Sequence, residues 1–153
     1  MRLLLLVLGL VTSAIASSTL PPRKVSLASA LQSISEPWSP HIAGDVNDVQ
    51  LKLAKMKGEF VWHHHEEDDE CFLVIKGEMR MQFRSGNVDC GPGEFVVVPR
   101  GVEHCPMALT DSCDVLLIER NTVLNTGSAA EEIGDIVHDR GTQPLTKRQL
   151  KRV

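Results

Sequence analysis

Gly58-Glu-Phe-Val-Trp-His63-His-His65-Glu-Glu-Asp-Asp-Glu70-Cys-Phe-Leu-Val-Ile-Lys-Gly77 is the stretch on which the reading of this 153-residue chain turns. Its complement, Gly93-Glu-Phe-Val-Val-Val-Pro99-Arg-Gly101-Val-Glu-His104, follows further along the chain. Side chains alternate faces along an extended chain, so His63 and His65 can look one way while His64 looks the other. A carboxylate at the start of the next strand, Glu70, and an imidazole from a later one, His104, complete a mixed nitrogen and oxygen set. Such a set suits a divalent transition metal. His63, His65, Glu70 and His104 are therefore the candidate metal ligands, and Glu70 is also the candidate catalytic carboxylate.

The flanking residues extend this pattern. From Val49 onward the chain reads as β: Gln50 to Met56 alternates apolar with polar, Cys71 to Ile75 is continuously apolar, and Met79, Met81 and Phe83 alternate with Arg80, Gln82 and Arg84. Phe95 to Val98 and Val115 to Ile118 read as further buried strands. Turn signals stand at Gly77-Glu78, Ser85-Gly86-Asn87 and Gly91-Pro92-Gly93. Many short strands at close spacing predict an all-β barrel or sandwich. Before them, Lys24 to Ile34 is expected to form a short helix that Pro37 and Pro40 terminate. After Asn121 the polar, Gly-containing sequence predicts an irregular arm.

Both stretches resemble the paired motifs of the cupin superfamily. The first family motif runs from Gly through His-x-His, three or four residues, Glu, six residues and Gly. The second has Gly, five residues, Pro-x-Gly, two residues and His. His63, His65, Glu70 and Gly77 fit the first, and Gly93, Pro99, Gly101 and His104 fit the second. Gly58 stands four residues before His63 where the family has five, and Ala108 replaces a terminal Asn. The likeness spans about residues 45 to 120. The phrases Trp62-His-His-His65, Gly101-Val-Glu-His-Cys-Pro106 and Leu124-Asn-Thr-Gly127 resemble small single-domain cupins of bacteria and fungi, some described as oxidoreductases or dioxygenases of secondary metabolism.

The resemblance implies a double-stranded jelly-roll barrel, to which the residue pattern adds the short N-terminal helix and the irregular C-terminal arm. It also implies a homodimer and a small-molecule substrate. The organisation expected is a signal peptide at 1–16, a lead segment at 17–44, the barrel at 45–120 and an arm at 121–153. The leader rests on Arg2, an apolar run and Ala14-Ile-Ala16, a small-x-small cleavage site. The run is too short for a stable membrane span. Secretion is the expectation, and a cytoplasmic protein is the alternative.

The net charge of −4 gives no reason to expect nucleic acid, and the short basic tail from Lys147 to Arg152 reads as a solvated terminus. Four cysteines, Cys71, Cys90, Cys105 and Cys113, have no disulfide-framework spacing and read as small buried apolar thiols. His41, His64 and His138 read as bystanders, with His41 and His138 in irregular segments. The run Glu66 to Asp69 reads as a solvated acidic loop.

For the metal, Fe(II) is the first expectation, with Mn(II), Ni(II), Cu(II) and Zn(II) open on the same donors. Val61, Phe72, Val74, Met79, Met81 and Met107 are expected to line an apolar mouth. The complete ligand set, with a resemblance that includes such enzymes, implies a metal-dependent oxidoreductase, a dioxygenase acting on a small aromatic or polyketide-like metabolite. The alternatives are a metal-dependent isomerase and a non-catalytic module for a sugar or another small ligand.

Overall fold

A computed structural model describes residues 23–129 and the backbone of 143–144. The expected leader, His138 and the basic tail lie outside these residues.

The chain is all-β apart from one short helix. Helix α1 is Leu27–Gln32, and the strands are β1 His41–Val46, β2 Val49–Met56, β3 Glu70–Lys76, β4 Met79–Phe83, β5 Gly86–Cys90, β6 Phe95–Val98, β7 His104–Ala108, β8 Cys113–Arg120 and β9 Gln143–Pro144. A six-stranded sheet in the order β6-β3-β8-β2-β1-β9 faces a three-stranded sheet in the order β5-β4-β7. All neighbours are antiparallel except β1 and β9. This is a jelly-roll barrel of the expected kind.

Alternation on the strands builds the interior. Phe72 and Val74 on β3, Met79 and Met81 on β4, and Cys113, Val115 and Leu117 on β8 point inward and pack with Ala54, Met56, Cys90, Val98 and Ala108. Each large side chain buried this way contributes about 1.5–3 kcal/mol, so this cluster supplies most of what holds the two sheets together. On the outer face, α1 lays Ala30 and Leu31, followed by Ile34, over Ala43 and Leu53. Six residues are too few to hold a helix alone, so this contact stabilises α1. Ser26 caps it by accepting the Ser29 N–H, which is why the helix begins later than the expected Lys24.

Three expectations change. His41 lies in a strand, not in an irregular segment. The register of β1 shifts between Ile42 and Gly44, and that bulge breaks the alternation from which a strand is read. Ser85-Gly86-Asn87 does not make its turn as a unit: Arg84 and Ser85 turn, while Gly86 and Asn87 already pair with Phe83 and Gln82. In the described part of the arm there is also regular structure where none was expected, a 3-10 turn at Gly127–Ala129 and a short strand whose Gln143 and Pro144 pair with His41 and Ile42. Pro144 lacks an N–H and sits on an edge strand, where that lack is tolerated.

Candidate metal centre

His63 and His65 come from an extended segment outside the ladders. A bridge to β7 holds it, in which His63 N–H donates to His104 O at 3.0 Å and His104 N–H donates to His63 O at 2.9 Å, and the Gly101 N–H donates to His65 O at 2.7 Å. Glu70 is the first residue of β3, as expected, and His104 is the first of the later strand β7. All four side chains are buried, and one donor atom from each lies within 4.8 Å of the others.

Hydrogen bonding sets which nitrogens face the centre. His63 Nδ1 lies 3.0 Å from Val61 O and His104 Nδ1 lies 2.9 Å from Val102 O. A carbonyl only accepts, so Nδ1 carries a hydrogen in both rings and Nε2 is the nitrogen turned to the centre, where it can take a cation or a proton. His104 Nε2 and His65 Nε2 stand 3.4 and 3.3 Å from Glu70 Oε2, and all three atoms are buried without a hydrogen-bond partner. Buried acceptors facing one another repel unless something positive lies between them. This donor set therefore fits a divalent cation, with each second nitrogen of His63 and His104 held by a backbone carbonyl, as metal-binding imidazoles require.

The electrostatics agree. Burial, followed by the neighbouring His104, lowers the His63 pKa to about 4. Burial pushes Glu70 up, but His104 and His65 facing it prevail and hold it at about 2. Both groups are in their metal-binding protonation states at neutral pH. The cysteines are not. Burial raises Cys105 and Cys113 to about 11 and also raises Cys71, and all four thiols are free.

His64 turns away, as the alternation predicts. Its Nε2 meets Glu66 Oε1 at 2.8 Å and its Nδ1 meets Ser128 Oγ at 2.9 Å. Within the acidic run, Glu66 and Glu67 are exposed, Asp68 pairs with Arg120, and Asp69 accepts the Arg100 N–H.

Beside the four residues lies a cavity of about 40 Å³, reached by Trp38, Met56, Phe60, Phe72, Leu117 and Asn125 as well as His63 and Glu70. Of the expected lining, only Phe72 takes part. Val74, Met79 and Met81 are consumed in the core. Val61 contributes a carbonyl while its neighbour Phe60 lines the space, and Pro106 does so in place of Met107. Trp38 and Phe60, both partly exposed, stack at 4.7 Å on its edge.

Sequence reasoning missed one feature altogether. Lys52 and Glu119 form a buried ion pair of 2.7 Å, with side chains 1% and 0% exposed. Burial, then the charge of Glu70, raises Glu119 to about 8, while Lys52 opposes the rise. The alternation on β2 reads most simply with leucines inward. In the fold Leu53 packs outward under α1, and Lys52, Ala54 and Met56 share the interior face.

Known proteins bear on this geometry. Residues 51–119 match the family described as Cupin domain. A cupin-2 domain containing protein from Shewanella frigidimarina is 40% identical, with a TM-score of 0.61 over 63% of this chain and 93% of its own. A Neisseria meningitidis protein of known structure is 31% identical, with a TM-score of 0.58 over 64% of this chain and 99% of its own. The Bacillus subtilis protein YdbB is 29% identical over 80 residues, which are 52% of this chain and 71% of that one.

Proposed function

Because the chain belongs to the cupin superfamily, we propose that it is a metal-dependent oxidoreductase, a dioxygenase for a small aromatic or polyketide-like metabolite, with Fe(II) held by His63, His65, Glu70 and His104. One observation carries this reading: unpartnered Nε2 and Oε2 atoms converge in a buried site beside an apolar cavity. Three histidines and one carboxylate on a six-coordinate ion leave two positions free, and Fe(II) with such ligands supplies the electrons for dioxygen chemistry.

The protein's own side chains do the rest. Trp38, Phe60 and Phe72 keep bulk water from the cavity and offer aromatic faces to a substrate. A cavity of roughly 150 Å³ is needed to enclose a benzene ring, far more than is open here. The substrate is thus expected to present an oxygen-bearing edge to the centre and to move Trp38 and Phe60 aside.

A second reading, a metal-dependent isomerase, is supported by the buried Lys52 and Glu119 beside Glu70, which can hold or move a proton. Phe95 and Val97, exposed at 63% and 50% on edge strand β6, support a homodimer that covers them. Oxygen uptake over a panel of phenolic and aromatic polyketide substrates tests the proposal. Chelation should abolish uptake, and Fe(II) but not Zn(II) should restore it. Undiminished turnover under strict anaerobiosis, with proton exchange into substrate, would replace the dioxygenase by the isomerase.

A further inference from the structure

The β3–β8 register pairs Cys71 with Ile118 and Phe72 with Leu117, which sets Glu70 opposite Glu119 on neighbouring strands. Both carboxylates point into the barrel and both are buried. Directly opposed side chains touch, so two carboxyl groups contend for the same space. Lys52 resolves the conflict. Its ammonium meets Glu119 Oε1 at 2.7 Å and donates to Asn125 Oδ1 at 3.2 Å and Val123 O at 3.5 Å. Held there, Glu119 lies against Glu70, whose Oε2 faces His65 and His104.

A buried ion pair costs more in lost hydration than a well-packed apolar pair would. Stability therefore gives no reason for this one, buried on the same inward faces of β2 and β8 as Ala54 and Leu117. We propose that Glu119, anchored by Lys52, is a positioning residue that fixes the Glu70 carboxylate on the imidazole side and is itself kept out of the ligand set. This rests on the metal reading above. Residues that hold a ligand in place typically change metal affinity by about 10- to 100-fold when they are removed.

The test uses Co(II), whose affinity and visible spectrum report ligand number and geometry without any turnover. Glu119→Ala should weaken Co(II) binding about tenfold and alter the spectrum. Glu119→Gln keeps the shape and the acceptor for Lys52 and should match wild type in both. Lys52→Met should alter the spectrum as Glu119 swings free, and Lys52→Met/Glu119→Gln should restore it. If Glu119→Ala does not fold, Lys52→Met/Glu119→Ala leaves no buried charge unpaired and carries the same readout. Wild-type affinity and spectrum in the Glu119→Ala variants, or equal damage from Glu119→Gln, would overturn the positioning role while leaving the metal site standing. Absence of Co(II) uptake by the wild-type chain would overturn the metal reading and this inference with it.

Discussion

An imidazole becomes a ligand when its other nitrogen is engaged, and the carbonyls of Val61 and Val102 engage Nδ1 of His63 and His104. Glu70 is the single carboxylate among the four donors. Glu70→Ala should therefore weaken metal retention by at least about tenfold, while Cys71→Ala should leave it nearly unchanged, as metal analysis after dialysis will read. The pH response follows from His63. Its pKa falls from 6.5 in the unfolded chain to about 4 in the fold, so between those values the unfolded chain binds a proton that the folded chain does not. The stability of the metal-free protein should fall as pH is lowered through that window, and His63→Gln should flatten the slope in urea titrations. The four donors were legible in the sequence because their spacing is a pattern of residue types. Lys52 and Glu119 were not, because ionic side chains on a half-polar strand read as solvent-facing until the neighbouring strands show which face is enclosed.

At the level of elements, the segment after β8 completes the site. Ser128 N–H donates to His64 O, His64 N–H donates to Ser128 Oγ, and Gly127 sits against the histidine segment with φ of 48°. A Cβ on Gly127 would collide with His64 O and stand 3.0 Å from both the His63 and His65 rings. Gly127→Ala should cost on the order of 2 kcal/mol or more and weaken metal binding. Gly93→Ala, where φ is also positive but no atom lies within 4 Å, should cost about 1 kcal/mol and spare the metal. Thermal melts paired with metal titrations separate the two.

Strands with a continuous apolar run or clean alternation, β3, β4, β6 and β8, could be read from sequence. Strand β1 could not, because a bulge interrupts it. Nor could β5, whose Gly86 to Asp89 are exposed and carry no apolar stripe. The arm's role against His64 depends on chain reversal, and local composition carries no trace of that.

For the molecule as a whole, the apolar cluster between the sheets is distinct from the four donors, so the barrel should outlast its metal. Chelated protein should keep its far-ultraviolet dichroism, and added metal should raise Tm through the binding free energy alone, a gain in stability of about 2.7 kcal/mol at a hundredfold excess over Kd. His104→Ala should fold and still lose activity. Anomalous diffraction from metal-loaded crystals tests the central claim most directly. The account predicts one ion per chain, bonded to Nε2 of His63, His65 and His104 and to Glu70 Oε2 at about 2.0 to 2.3 Å. An ion held by His64 or by a cysteine, or no ion among these four residues in a metal-saturated crystal, would contradict it.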